Sequence, residues 1–468
     1  MAPTALHDLA LADVAAAIRG GELSSVEVTR HTLDRIAALE PRFHAYAEVR
    51  ADAAMAEAAA ADARRARGES LGQLHGVPVA VKDLCAMAGT ATRAGGRFST
   101  GFAPSDTSTV VARLQEAGAV IVGKAQLTEG AWAAHHPEIP PPVNPWAPDR
   151  WSGASSSGSG VCVAAGMAYG AIGSDTAGSI RFPSACNHLV GLKPTWGRVS
   201  RHGVFPLSET FDHVGPMART VLDVALLYAA IAGADPLDPT SLDVPVGDPI
   251  AAACGGTLAR VRVGVDASYA LASLDAPTAA AMKAALAHLE AAGAAIVDVA
   301  FPEVGSILEP AMLACFAEAA VAHAATYPSQ KERYGAAYAE LLETGRAAPA
   351  TAYAAFAMRR RELRGRVQRL LAQVDLLAVP VMPIQPLTLA EMAAVSAGPP
   401  LGGAPFMIYT LPFDITGSPS LTLPMGRSPE GAPLGFQLIG RHLGEADVLS
   451  AGAAYEARAG TAGLRPSL

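Results

Sequence analysis

Lysine is scarce in this chain. Of 35 basic side chains only five are lysines: Lys82, Lys124, Lys193, Lys283 and Lys331. Arginine serves wherever a cation is enough; it keeps its proton in proteins, whereas a buried lysine can lose it. Lys82, Lys124 and Lys193 lie beside apolar, strand-like runs. A lysine retained in such a place either deprotonates in function or fills a site that needs a compact cation. Charge of any kind is sparse, 17% of residues against 51% hydrophobic, which excludes a chain disordered by composition and implies a large core. There is no basic run. The net charge is −8, which excludes a nucleic-acid surface. Arg359, Arg360 and Arg361 form the densest basic cluster, in "AFAMRRRELRGRVQRLL", where helical periodicity predicts a solvated face.

The five cysteines, Cys85, Cys162, Cys186, Cys254 and Cys315, are odd in number and widely spaced, with no C-x-x-C. Free thiols in a reducing compartment are expected, most of them packed as small hydrophobes. Asp8, Asp13 and Arg19 come too early for a secretory signal. No uncharged apolar run reaches membrane-spanning length. The cytoplasm is the expected compartment, with no membrane partner.

Familiar catalytic motifs are also missing. "GSG" at 158–160 lacks the third glycine of a dinucleotide loop and no G-K-[ST] occurs, which argues against a nucleotide cofactor. His135 and His136 sit in a proline-rich loop without H-E-x-x-H, so no metal is expected. No G-x-S-x-G surrounds Ser155 or Ser179, which excludes the usual serine–histidine–aspartate elbow.

What is present is a strand–helix rhythm. The first sixty or so residues read as helices, including "SSVEVTRHTLDRIAAL" with its serine cap and "ADAAMAEAAAADARRARG". "HGVPVAVKD" is a buried strand ending at Lys82; "STVVARLQEAG" and "AVIVGKAQ" continue as helix and strand. "VCVAAGMAYGAIG" is a small-residue helix with a strand-like exit. Residues 190–220 read as irregular, and "VLDVALLYAAIAG" as a helix. "VRVGVD", "AMKAALAHLEAAGA" and "AIVDVAF" repeat the rhythm. Residues 310–375 are mainly helical, and "DLLAVPVMP", "SPSLTLPMG" and "GAPLGFQLIG" supply further strands. No fixed-period repeat and no long linker appears, so one large α/β domain around a mixed sheet is expected.

"SGASSSGSG", residues 152–160, has the composition of a flexible spacer, yet it runs directly into core-like sequence. A backbone arrangement that needs small residues and hydroxyls is the alternative. A serine nucleophile needs a proton acceptor, oxyanion donors and close approach of backbone to substrate. In "GSDTAGSIR", 173–181, the small residues Thr176, Ala177 and Gly178 precede Ser179, so successive N–H groups can point into one cavity. No histidine is identified as the acceptor, but a desolvated lysine can serve.

These segments, with "GVPVAVKD", "SACNHLVGLKPTWGRVSRHGVFPLSETFDHVGPMART" and "PFDITGSPSLTLPMG…GAPLGFQLIGR", resemble the amidase signature family, from the N-terminal helices to about residue 456. The resemblance implies a single α/β/α domain spanning 1–468, with a central mixed, twisted β-sheet covered by helices on both faces. N-terminal helices would occupy about 1–68, a signature core about 70–220 and a helical substrate-side region about 305–375. It also implies cleavage of carbon–nitrogen bonds by a Ser-Ser-Lys triad. By position Ser179 corresponds to the nucleophile, Ser155 to the bridging serine on a cis peptide bond, and Lys82 to the general base. The N–H groups of Thr176, Ala177, Gly178 and Ser179 match the oxyanion loop. Ser156, Asp175 and Arg181 match its polar supports. Ala154, Ser157 and Ala177 stand where many members have glycine; alanine keeps its N–H, so altered fit rather than lost catalysis is expected.

Two regions outside the core are expected to shape the pocket. One is the stiff loop 132–146, with Trp132, His135, His136 and Ile139. The other is the helical stretch 312–328, with Met312, Phe316 and Tyr327, although those three read equally well as ordinary core. Neither offers an arginine or lysine for a substrate carboxylate. The expected substrate is a small neutral apolar or aryl amide or carbamate, with no cofactor; a homodimer is compatible with the sequence. The alternatives are the glutaminase component of a tRNA-dependent amidotransferase and a catalytically silent binding paralogue.

Overall fold

Short valine-rich and small-residue segments build the centre of the molecule. The computed structural model describes residues 5–69, 71–396, 398, 406–462 and 464–468. Eleven strands among them form one mixed sheet. In chain order these are β1 (Tyr46–Val49), β2 (Pro78–Lys82), β3 (Val120–Ala125), β4 (Gly170–Asp175), β5 (Val190–Lys193), β6 (His213–Ala218), β7 (Arg262–Val265), β8 (Ala295–Asp298), β9 (Leu376–Pro380), β10 (Ser420–Arg427) and β11 (Pro433–Ile439). Their spatial order is β1-β3-β2-β4-β6-β5-β10-β11-β9-β7-β8. Strands β3, β2 and β4 run parallel to one another, as do β9, β7 and β8. The strands between these groups are antiparallel.

Alternation along the strands fixes the layers. Val79, Val81, Ile121 and Ile172 enter one apolar cluster, while Ala80, Val120, Val122 and Ala171 enter another. Side chains of a strand alternate between faces, so both faces are covered. The first cluster includes residues of the helices Leu11–Gly20, Thr109–Glu116 and Val221–Ile231; the second those of Ser25–Phe43, Ala51–Ala66 and Ser157–Ala164. The Ser24 hydroxyl caps its helix by accepting the Glu27 N–H at 3.0 Å, as the sequence implies.

Three expectations need correction. Residues 190–220 are not simply irregular: they contain β5 and β6, central and buried on both faces. Their glycines and proline, and the lack of polar alternation, hide strands that have no solvent side. The N-terminal region is not all helical, because β1 pairs antiparallel with β3. Arg360 is not a solvated side chain: it donates to the carbonyls of Ile415 (2.9 Å) and Thr210 (2.6 Å).

Of the cysteines, Cys254 is exposed and the other four are buried. The helix Gly305–Ala322 has a mean hydropathy of 1.4 and by length and composition alone is long enough to cross a membrane. Here it packs against the helices Ala336–Arg346 and Ala350–Leu371. Its Glu318 accepts hydrogen bonds from Ser208 (2.7 Å) and Thr210 (2.8 Å).

Close packing at the sheet centre generates a test. A Cβ on Gly215 in β6 would lie 2.1 Å from the Leu192 carbonyl oxygen, which is backbone and cannot rotate away. Gly215→Ala is expected to destabilise the protein by about 3 kcal/mol, read as a lower urea midpoint with unchanged secondary structure at low denaturant.

Candidate active site

Strand β2 delivers Lys82 at its C-terminal end, beside β4, with Val81 in register with Ile172. The side chain is fully buried. Its Nζ lies 2.7 Å from Ser155 Oγ and 2.8 Å from Ser174 Oγ, and donates to both. These hydroxyls are its only hydrogen-bond partners among the described residues. Ser155 follows a cis peptide bond from Ala154 and is separated from the helix Ser157–Ala164 only by its N-cap residue, Ser156. The stretch 152–160 is therefore buried framework and not a spacer.

Ser156 fastens this turn to its surroundings. Its Oγ donates to the Ser174 carbonyl (3.1 Å) and accepts the Ser174 N–H (3.2 Å). Its own N–H donates to the Ser179 carbonyl at 3.2 Å. Ser155 and Ser179 are thus held in adjacent backbone segments. From Met167 to Thr195, Ser179 is the one residue that is not buried. It opens onto a cleft also lined by Ala154, Thr176 and Ala177.

The loop after β4 is held by a buried ionic cluster. Arg181 donates to Asp175 through Nε (3.0 Å) and Nη2 (2.8 Å), to the Thr410 carbonyl (2.8 Å) and to Asp414. Asp175 also accepts the N–H groups of Gly178 (2.7 Å), Ile180 (2.9 Å) and Arg181 (3.2 Å). Burial alone would raise its carboxyl, but Arg181 and these donors hold it well below the usual range. This corrects one assignment: the Gly178 N–H points at Asp175 and is already used. Among the described residues, the N–H groups of Thr176, Ala177 and Ser179 have no protein acceptor. Gly178 instead supplies φ of +130°, where a Cβ would meet the Phe182 ring at 2.4 Å. Ala177 has no such constraint, which is why alanine is tolerated there.

The buried lysines divide by partner. Lys124 pairs with Asp83 at 3.0 Å. Lys193 donates to the carbonyls of Ser418 (2.6 Å) and Pro194 (3.2 Å), and burial lowers it to about 8. Lys82 touches hydroxyls only, and burial lowers it to about 7 against the opposing pull of Asp212 and Asp175. Asp212, itself raised by burial to about 6, accepts from Thr176 Oγ1 (2.5 Å) and from the N–H groups of Leu207 (2.9 Å) and Ser208 (3.1 Å). Sequence reasoning missed Ser174, Asp212 and Asp414 as members of this network; Asp212 and Asp414 lie within the "SETFDHVG" and "PFDITG" segments.

The cleft over Ser179 has a volume of about 110 Å³. Trp132 lines it, as expected. His135, His136 and Ile139 do not. The His136 Nδ1 accepts the Glu138 N–H (3.2 Å), and the Ile139 N–H donates to the His136 carbonyl (2.9 Å), so this part of the loop folds on itself. His135 approaches Ser157 at 3.4 Å. Met312, Phe316 and Tyr327 are also absent from the lining. They are core: Phe316 meets Trp132 edge-on at 4.9 Å and so backs the wall, and Tyr327 donates to Glu343 at 2.8 Å. The walls that the sequence did not reveal are Trp151, Phe182 and Phe406, with ring centroids 5.4–5.7 Å apart, and the methionines Met392 and Met407. Glu340 is the one charged residue among the described lining. No group of three or more His, Cys, Asp or Glu side chains is placed to hold a metal among the described residues.

Comparison with known proteins is consistent across nearly the whole chain. The family model described as Amidase matches residues 27–449. The Mycobacterium tuberculosis protein named "Putative amidase AmiD" is 42% identical over 463 residues, covering 99% of this chain and 96% of that one. A component of the glutamyl-tRNA(Gln) amidotransferase of Chloroflexus aurantiacus is 37% identical over 97% of each chain. The solved structure of 6-aminohexanoate cyclic dimer hydrolase superposes with a TM-score of 0.89 at 27% identity, over 99% of each chain.

The ionic cluster generates a prediction. Arg181→Met leaves two buried carboxylates without their cation and is expected to cost about 3–5 kcal/mol. Arg181→Lys keeps the charge but loses the fork, so its urea midpoint should fall between those of Arg181→Met and the unsubstituted protein.

Proposed function

The chain belongs to the amidase signature family and is a hydrolase of carbon–nitrogen bonds; from this we propose an acyl-enzyme mechanism in which Ser179 attacks, Ser155 relays and Lys82 is the base. The observation that carries this reading is the 2.7 Å contact between a fully buried lysine and Ser155. A neutral Lys82 accepts the Ser155 proton while Ser155 accepts that of Ser179. Ser179 Oγ bonds to the substrate carbonyl carbon, and the free N–H groups of Thr176, Ala177 and Ser179 receive the oxyanion. The proton returns along the same path to the leaving nitrogen as its bond to carbon breaks. Water then repeats the sequence and releases the acid. Every group required belongs to the chain, and the whole of 1–468 serves as one catalytic unit in this reading.

The cleft favours neutral apolar or aryl-bearing amides or carbamates. Aromatic rings and methionines line it, and neither arginine nor lysine is among the described lining residues. A free α-carboxylate would meet no cation there and would face Glu340. That weighs against the glutaminase reading suggested by the amidotransferase relatives. The cyclic dimer hydrolase, named for a neutral amide, is the nearer analogy. A silent paralogue is disfavoured because all three positions of the proposed triad are filled.

Ser179→Ala should abolish turnover, while Lys82→Arg, which cannot deprotonate, should cost several orders of magnitude in kcat. Below pH about 7 Lys82 is protonated and cannot act as base, so kcat should rise through that pH toward alkaline conditions. A correctly folded Ser179→Ala or Lys82→Arg enzyme with near-native kcat would overturn the assignment. Among substrates, kcat/KM should be higher for anilides and aryl carbamates than for glutamine or other amino-acid amides. Preferred hydrolysis of free glutamine would refute this reading of the cleft without touching the triad.

A further inference from the structure

A second polar crevice lies at the opposite end of the helix that begins behind Ser155. Its floor is the C-terminal turn of that helix, Ala164 to Gly166, and its volume is about 220 Å³. Three guanidinium groups from separate parts of the chain line it: Arg35 from the helix Ser25–Phe43, Arg219 just after β6, and Arg465 near the C-terminus. None serves the reaction described above.

Their hydrogen bonds leave donors over. Arg35 gives Nε to the Ala165 carbonyl (2.7 Å), and its two Nη groups have no protein partner among the described residues. Arg219 gives Nη1 to the His7 carbonyl (2.6 Å) and Nη2 to the Leu9 carbonyl, and lies over the Tyr169 ring at 5.5 Å. Its Nε is buried with no partner, on a side chain whose residue is only 5% exposed. Arg465 gives Nη2 to the Asp8 carbonyl (2.8 Å) and Nη1 to the carbonyls of Ala462 (2.8 Å) and Leu464 (2.8 Å), and its Nε is likewise buried without a hydrogen bond.

Two carboxylates act on these three cations, Asp8 in the crevice wall and Asp223 beside Arg219, so the cations are in excess by one. Asp8 lies 3.8 Å from Arg465 Nε, a contact too long for a hydrogen bond. Asp223 uses one oxygen to accept the Ala12 N–H (2.9 Å), and burial raises its carboxyl. Burial and the neighbouring Arg465 lower Arg219 to about 10, which still leaves it charged at neutral pH. Three cations thus face two carboxylates around a cavity open to solutes, and the Arg35 Nη groups and the Arg219 Nε have no protein partner among the described residues. A planar carboxylate satisfies one guanidinium fork; a tetrahedral oxyanion offers oxygens to several at once.

We propose that this crevice, lined by Arg35, Arg219 and Arg465, binds a phosphate group, as inorganic phosphate or as the head of a small phosphate monoester. The site is separate from the catalytic cleft, so occupancy does not require turnover. The bound anion ties the N-terminal segment, the helix end and the C-terminal tail together.

The test is isothermal titration of the full chain with inorganic phosphate, glycerol phosphate and succinate, at ionic strength matched with chloride. Saturable phosphate binding is expected, retained in Ser179→Ala and weakened by about tenfold or more in Arg35→Gln and in Arg465→Gln, each loss corresponding to a charge-assisted hydrogen bond. Both substituted arginines are partly exposed, and circular dichroism verifies that each variant folds. Hydrogen exchange should show added protection at residues 164–169 with phosphate present. Tighter binding of glycerol phosphate than of phosphate identifies a monoester as the natural occupant; equal binding identifies the free ion. No saturable binding, equal binding by the arginine variants, or succinate binding as tightly as phosphate would each overturn the proposal.

Discussion

The arrangement at the catalytic end of the sheet depends on one buried amine whose hydrogen-bond partners are neutral. Transferring an ammonium ion out of water is expensive unless a counter-ion meets it. Among the described residues Lys82 has no counter-ion in contact, only the hydroxyls of Ser155 and Ser174. The neutral amine is therefore accessible near physiological pH. This holds only if nearby carboxylates stay out of contact. Asp175 is engaged by Arg181 and three backbone amides, and Asp212 by Thr176 and two more. Each acid therefore keeps its own donors and acts on the amine only through space. A carboxylate touching Nζ would hold the proton on the lysine and remove the base.

The same constraint explains why lysine is rare here and where it is kept. Lys124 is a cation in an ion pair and Lys193 a donor to carbonyls. Both are fully buried in positions where an amine's small head fits. Arg181 occupies the place where a fork is needed, since it must reach Asp175, Asp414 and the Thr410 carbonyl together. The scarcity of lysine singled out three positions, but not which of them suits the role of the proposed base. That required knowing which neighbours were charged, a property of assembled strands and not of composition.

Legibility in the sequence followed how local each feature is. Strand β2 and the helices Thr109–Glu116 and Val221–Ile231 carry their patterns within a few residues and were readable. The residues of the proposed triad lie in long contiguous segments, and those segments carry the resemblance from which they were named. Strands β5 and β6 were not readable, because Gly191 sits against Ser184 and Gly215 against the Leu192 carbonyl, close approaches that only the assembled sheet reveals. The role of the Gly178 N–H was also hidden. A run of small residues announces several inward-pointing amides, but only the fold shows that Asp175 takes one of them.

The cleft was the least legible part, and its construction explains why. Its walls come from Ala131–Ala134, Trp151, Phe182, the helix Ala336–Arg346, and Met392, Val395, Gly398, Phe406 and Met407. No single segment carries the pocket, so no local pattern could reveal it. Two of these walls are joined by one buried contact. Glu129 precedes the Ala131–Ala134 wall, and its carboxylate accepts the N–H of Gly335 at 3.0 Å. Gly335 caps the helix that contributes Ala337 and Glu340 to the cleft. Burial raises the Glu129 carboxyl to about 7, and the ionised form accepts from the helix N-terminus more strongly than the neutral one. Tyr338, from the same helix, donates to the Gly130 carbonyl at 3.3 Å and reinforces the joint. The width of the cleft is thus set by contacts that do not include the triad. Residues along these walls can change which substrate enters while the Lys82–Ser155 geometry stays fixed.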